Sequence, residues 1–410
     1  MRLPRVAIVH QGLGYGGSEA PALWAIEALK QDYDVSLITG GCVDLRRLNG
    51  FYGTSLESGD FTILYAPLPL GLRYTSKFAA LQGHLIQRYI QRVAPSFDLL
   101  ISAYNLYDFG VRGIQFLADF SFIDKWRLTL HPALGNWETW WYGDSPLRRA
   151  YLGLCRLISP SNPEAWKRNL TLANSDWGAA LLRREFGIEA RTVYPPVSEE
   201  FSPIPWEERE NGFVCIGRVV PEKRMDAAIR MLYRVRQHGH DVHLHILGGL
   251  DGSPYAKQLK KLGEENRDWV FLEGLTYGER KRDLLARHQY GINARENEPF
   301  GIAPAEMVKA GGIVFVPNGG GQVEIVNHPA LIYEDDADAV RKIEAVLANA
   351  ALQGSLREHL SQAAERFSVK RFKEAIRDVV SEFLRDKRTE RRDSTQDRGA
   401  RDPAEETVRK

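Results

Sequence analysis

The chain has 410 residues, 44% hydrophobic and 26% charged, which is room for two or three domains of ordinary globular composition. Its 54 lysines and arginines nearly balance 53 aspartates and glutamates, so charge does not point to a nucleic-acid partner. Cys42, Cys155 and Cys215 lie far apart and give no disulfide framework and no zinc signature, which fits a reducing cytoplasm. No window reaches the roughly 18 apolar residues of a membrane span.

"MRLPRVAIVHQG" reads as a first strand rather than a signal peptide. Short apolar runs then alternate with helical patterns: "RVAIVH" (5–10), a helix over 18–30, "DVSLIT" (34–39), "FTILYA" (61–66), a helix over 76–93, and "DLLISAY" (98–104). "GIQFLADF" (113–120), "LTLANS" (170–175) and "ARTVYPP" (190–196) continue the series. Such runs suit parallel strands covered on both faces, in a doubly wound α/β domain over 1–196. The proline- and acid-rich stretch 197–211 reads as a linker. The alternation restarts over 212–368 with "FVCIG", "VHLHILG", "WVFLEG", "YGINA", "GIVFVP" and "ALIYE". An amphipathic helix over 369–386 is expected, which can pack back on the first domain. Residues 387–410 carry almost no large apolar side chain and read as a disordered tail. Two doubly wound domains would face each other across a cleft, with ligands at the carboxyl ends of the strands.

Four loops follow strands and carry candidate chemistry. In "QGLGYGGSE", Gly12, Gly14 and Gly17 satisfy G-x-G-x-x-G. The next strand ends "LITGG" without the carboxylate that a dinucleotide ribose needs, which argues against an NAD enzyme. The glycines still let backbone amides approach an anion, or form a plain tight turn. In "IGRVVPEKRMD", Arg218 and Lys223 can point at one anion, or be two solvated cations. In "ARENEPFGIAPAEMVKAGG", Glu298 sits in a loop and Glu306 on a helix. With Pro304 as first helical residue, Glu306 is about the third, a capping-box position. Ala303 has no side-chain acceptor to complete that box, which favours Glu298 and Glu306 as ligands for polyol hydroxyls. "NGGGQVEIV" adds a glycine-rich loop and Glu324.

Taken in order, "GYGGSE", "NSDWGAALLRREFG", "VYPPV", "GRVVPEKRMD", "EPFGIAPAEMVKAGG" and "GGGQVEIV" resemble the retaining glycosyltransferases of family 4, most of all their mannosyltransferase branch. The resemblance implies a GT-B fold of two Rossmann-like domains and transfer of a hexose from a GDP- or UDP-sugar to a hydroxyl of a glycan or lipid-linked acceptor. It implies that Arg218 and Lys223 hold the diphosphate and Glu306 the ribose. Glu298 meets the donor sugar, beside the backbone of Phe300, Gly301 and Ile302. Gly16 and Gly17 let the first domain close on the diphosphate. Many relatives carry a histidine where this chain has Ala118 and Asp119; Asp119 either takes over its contact with the sugar or is an ordinary strand-end aspartate. A sugar-nucleotide epimerase and a non-catalytic nucleotide-sugar binder are the competing readings.

No metal or other cofactor is expected, because the two cations carry the diphosphate. His238, His240, His243 and His245 crowd "HGHDVHLH", but with no distant carboxylate or cysteine partner in view zinc is set aside. "DDAD" (335–338) reads as a loop and helix cap rather than a metal motif. Trp137, Trp140 and Trp141, and the stripe Phe78, Leu81, Leu85, Tyr89 and Val93 with Lys77, Arg88 and Arg92 beside it, are either core or a membrane-facing surface. The expected place is the cytoplasm, at the inner face of a membrane.

Overall fold

In a computed structural model of the chain, the residues described are 2–73, 78–120, 123–130, 136–143, 145–159, 162–198 and 200–399. The apolar runs form parallel strands because their branched side chains are covered on both faces. β1 (Arg5–Val9), β2 (Asp34–Thr39), β3 (Thr62–Tyr65), β4 (Leu99–Ser102), β5 (Ile114–Leu117), β6 (Leu170–Ala173) and β7 (Ala190–Thr192) build one sheet, in the order β3-β2-β1-β4-β5-β6-β7. β8 (Glu210–Ile216), β9 (His243–Leu247), β10 (Val270–Gly274), β11 (His288–Ile292), β12 (Ile313–Pro317) and β13 (Ile332–Tyr333) build a second, in the order β10-β9-β8-β11-β12-β13. The order reverses beside β1 in the first sheet and beside β8 in the second. Each reversal opens a crevice at the carboxyl ends of the central strands. Two Rossmann-like domains with these crevices facing one cleft constitute the GT-B fold.

One face of the first sheet is covered by the helix Glu19–Leu29 and by the far end of the chain. Phe372, Ile376, Val379, Val380, Phe383 and Leu384 of the helix Val369–Gly399 are buried there. Burial of such side chains contributes roughly 1.5–3 kcal/mol each. An exposed pair such as Arg191–Glu382 contributes at most about 1 kcal/mol. Apolar contact therefore ties the last helix to the first domain. The helix does not end near residue 386, where the sequence reading placed a disordered tail; it runs to Gly399. "KRTERRDSTQDR" is rich in good helix formers, and Arg112 pairs with Glu390 at 2.7 Å. Residues 400–410 lie outside the described residues.

The other face of that sheet packs on the helix Ala79–Val93, where Ile86 and Ile90 are buried and Leu85, Tyr89 and Val93 lie against them. Three residues of the predicted stripe thus pack half-buried against the core, Leu81 is half-buried, and Phe78 stays 48% exposed. Lys77 and the side chain of Trp137 lie outside what is described.

Candidate active site

The facing carboxyl ends of the two sheets enclose a cavity of about 680 Å³. Gly16, Gly17 and Asp119 line it from the first domain; Arg218, Lys223, Glu298, Phe300, Gly301, Ile302 and Glu306 line it from the second. Every residue that the sequence reading singled out for the site therefore meets in one space.

Glu298 is the most constrained of them. Its backbone bridges Gly320, and its carboxylate is held by Lys223 Nζ at 2.5 Å and Arg295 Nη1 at 3.1 Å. Burial pushes its pKa up, but Lys223, Arg295 and Arg218 outweigh that and hold it below the ordinary glutamate value. Arg218 is exposed at the end of β8. The glycine-rich loop after β12 packs backbone to backbone here. A Cβ on Gly320 would fall 2.1 Å from the Glu298 carbonyl oxygen, and one on Gly321 2.4 Å from that of Pro299. Those glycines support the Glu298 loop rather than face a ligand. The ring of Phe300 is turned into the core between Tyr194 and Phe367, so the cavity meets this segment mainly through its backbone.

The helix carrying Glu306 begins earlier than the sequence suggests. Gly301, at φ 108°, is its N-cap, and the helix runs Ile302–Lys309. Pro304 is thus the third helical residue and Glu306 the fifth, outside the capping-box position altogether. The left-handed backbone that glycine permits sets this start. Lys281 Nζ, from the helix Gly278–Arg287, meets Glu306 Oε1 at 2.7 Å. Arg295 and Lys281 are the site residues that the sequence reading missed. Arg295 stands three residues from Glu298 in the same loop and was open to view; Lys281 has no local signal.

The first glycine loop is organised around Glu19, which is buried. Glu19 accepts from Gly14 N at 3.1 Å and from the Ser18 hydroxyl at 2.9 Å. The Gly14 amide therefore has a partner within the chain. Tyr52 Oη donates to the carbonyls of Gly14 and Gly16, at 3.0 and 2.7 Å. A Cβ on Gly16 would fall 2.9 Å from Glu19 Oε2, and one on Gly17 3.0 Å from Ile302 Cδ1 in the other domain. Gly17 is thus where the first domain touches the helix Ile302–Lys309 of the second.

A joint beside the cavity fixes one domain to the other. Ser175 caps the helix Asp176–Phe186, and its hydroxyl donates to the Pro299 carbonyl at 2.6 Å. Glu324, across the cleft, accepts from Asp176 N at 2.9 Å, Trp177 N at 2.8 Å and Tyr194 Oη at 3.0 Å. Burial raises its pKa despite these bonds. The "NSDW", "VYPP" and "GGQVE" motifs thus meet at one hinge-side contact. Asp335 of "DDAD" caps the helix Asp336–Leu347.

Residues 197–367, which span the linker stretch and the second sheet, match the family model described as glycosyl transferases group 1. The chain is 31% identical over 168 residues to a GDP-Man:Man(3)GlcNAc(2)-PP-Dol alpha-1,2-mannosyltransferase of Candida glabrata, covering 36% of this chain and 32% of that protein. It is 27% identical over 194 residues to the alpha-1,3/1,6-mannosyltransferase ALG2 of Mus musculus, covering 42% and 45%. The chain thus spans less than half of the length of these curated relatives. Among solved structures, Anabaena HepE in complex with UDP and glucose is similar at a TM-score of 0.65 and 14% identity, over 92% of this chain and 100% of that one. The lipopolysaccharide glycosyltransferase WaaG is similar at 0.63 and 16%, over 91% and 99%.

Proposed function

We propose that this chain is a retaining, metal-independent glycosyltransferase of family 4, moving a hexose from a nucleotide diphosphate sugar to a hydroxyl of a glycan or lipid-linked acceptor. The observation that carries the reading is the Lys223–Glu298–Arg295 group on the cavity wall with Arg218 beside it. Cations in a partly dry cleft stabilise charge that develops on a leaving diphosphate far more than they would in water. Glu306 receives the ribose hydroxyls, with Lys281 setting its orientation. Glu298 meets the sugar, and Asp119 faces it from the first domain. Retention needs no protein nucleophile. The bond from the anomeric carbon to the diphosphate oxygen breaks, and the acceptor oxygen bonds to that carbon on the same face. Its proton passes to the departing diphosphate.

The names of the curated relatives carry GDP-mannose, and HepE was solved with UDP and glucose. GDP-mannose is therefore the first donor to test. The enzyme works at the cytoplasmic side of a membrane as a peripheral protein. No helix among the described residues is long and apolar enough to cross one. The helix Pro146–Ile158 exposes Leu147, Leu154 and Leu157 instead.

The test is a donor panel on the full chain, GDP-mannose against UDP-glucose, with and without a diphosphate-linked lipid glycan. Acceptor-dependent release of nucleoside diphosphate is expected. A sugar nucleotide converted without acceptor would make the protein an epimerase. Binding with no release under any pairing would make it a binder. Either outcome overturns the proposal.

A further inference from the structure

At the opposite edge of the second sheet, the fold assembles a cluster that the sequence separates widely. β8 lies between β9 and β11, with Gly212 of β8 opposite His243 of β9, and Glu210 opposite His288 of β11. Gly212 has no side chain, and a Cβ there would fall 2.3 Å from His243 Nε2. The His243 ring therefore reaches across β8 to His288. His245, two residues on along β9, shares the face. Its ring centroid lies 4.5 Å from that of His288 and 5.3 Å from that of His243. Glu210 reaches in from the start of β8. These are the distant partners that the histidine-rich stretch lacked when read as sequence.

The geometry is that of a ligand shell. His243 Nε2 lies 3.1 Å from His288 Nε2 and 3.3 Å from Glu210 Oε2, and His288 Nε2 lies 3.7 Å from the same oxygen. One donor atom from each of the four residues lies within 4.8 Å of the other three. Ligands at about 2.0–2.1 Å around a tetrahedral Zn²⁺ are separated by about 3.3 Å, so only small side-chain shifts are needed. The outer contacts orient the rings. His288 Nδ1 faces the Leu284 carbonyl at 2.6 Å and therefore donates, leaving a lone pair on Nε2. His245 Nδ1 faces Glu273 at 2.7 Å, and Arg280 steadies that carboxylate at 3.0 Å. Carbonyl–His and carboxylate–His pairs of this kind fix the tautomer that a bound metal requires.

We propose that Glu210, His243, His245 and His288 form a Zn²⁺ site at the amino-terminal edge of the second sheet. Three imidazoles and one carboxylate match the borderline softness of Zn²⁺, and four protein ligands make the site a closed, structural one. The ion ties β8, β9 and β11 together at the edge away from the active cavity. Its test therefore does not depend on the transfer activity. Glu210 is half exposed and gives the ion its way in from solvent.

The full chain, stripped by chelator and titrated with Co²⁺ and then Zn²⁺, is expected to bind one ion per chain. The intense visible absorption of tetrahedral Co²⁺ should bleach as Zn²⁺ displaces it, and Zn²⁺ should raise the thermal midpoint. Glu210→Gln, at an exposed position that does not threaten folding, should weaken Co²⁺ binding at least tenfold. His243→Gln should weaken it further, and His240→Gln should leave it unchanged. The proposal is overturned if the wild type shows no tetrahedral Co²⁺ spectrum, or if His240→Gln loses as much affinity as Glu210→Gln.

Discussion

Arg218 and Lys223 carry the same charge in the same cavity, but their surroundings differ. Lys223 neutralises Glu298, whose side chain is only 11% exposed, and breaking a buried pair from one side costs about 3–5 kcal/mol. A Lys223→Ala variant therefore mixes lost folding with lost chemistry. Arg218 is exposed, so its removal isolates the chemistry. Arg218→Ala is expected to lower kcat/KM for transfer at least tenfold, about 1.4 kcal/mol, while urea unfolding moves by no more than about 0.5 kcal/mol. Near wild-type transfer would take Arg218 out of the site. Glu298 also sets a pH limit. Its folded pKa is lowered, so its stabilising pairs are intact above the ordinary value of 4.5 and are lost as pH falls through the folded value. Glu298 therefore adds to an acid limb below 4.5 that it shares with Asp226, Glu273 and Asp338, whose pKa values are also lowered, and Glu298→Gln should make that limb shallower; an unchanged slope in that variant would remove Glu298 from it. At this scale the strand-end loops made Arg218, Lys223, Glu298 and Glu306 legible. Lys281 was not, because only the fold brings the helix Gly278–Arg287 against Ile302–Lys309.

Among the elements, the strands were the most legible, since apolar runs bounded by turn residues have few other uses. "DVSLIT" is β2 to the residue. Boundaries set by backbone freedom rather than by side-chain pattern were not. Gly301 starts its helix two residues before Pro304, and the charged stretch after residue 386 continues a helix for which the apolar pattern has ended. The interdomain joint was visible only as motifs, because a carboxylate in one domain that caps a helix in the other leaves no spacing to read. Glu324→Ala removes the acceptor of two backbone amides at that helix, and losing such a cap costs about 0.5–2 kcal/mol. Denaturant unfolding should show that loss, and Trp177 fluorescence should report a looser joint. A variant as stable as the wild type would mean that the other contacts between the domains, Ser175–Pro299 among them, hold the register without Glu324.

For the whole molecule, the tandem of two doubly wound domains and the cleft between them followed from the alternation of elements, whereas the candidate for a membrane-facing surface did not. The tryptophan-rich segment and the stripe from Phe78 to Val93 were the sequence candidates, and Leu85, Tyr89 and Val93 of the stripe pack against the core. The structure turns attention to Pro146–Ile158. Its Cys155 is buried, while Leu147, Leu154 and Leu157 are 60%, 65% and 80% exposed, and Arg149 and Arg156 on the flank of that leucine face are exposed as well. Inserting three leucines contributes roughly 1.5–3 kcal/mol each, and an arginine near anionic headgroups about 1 kcal/mol. Such a sum supports reversible, salt-sensitive attachment. The chain should co-sediment with phosphatidylglycerol-containing vesicles at low salt and detach at high salt. Leu154→Glu with Leu157→Glu should weaken that attachment at least tenfold, yet leave transfer to a water-soluble acceptor intact, because neither residue lines the cavity. If the double variant sediments like the wild type, the membrane face lies elsewhere on the molecule; if the wild type stays in the supernatant, the acceptor must come to the enzyme through solution.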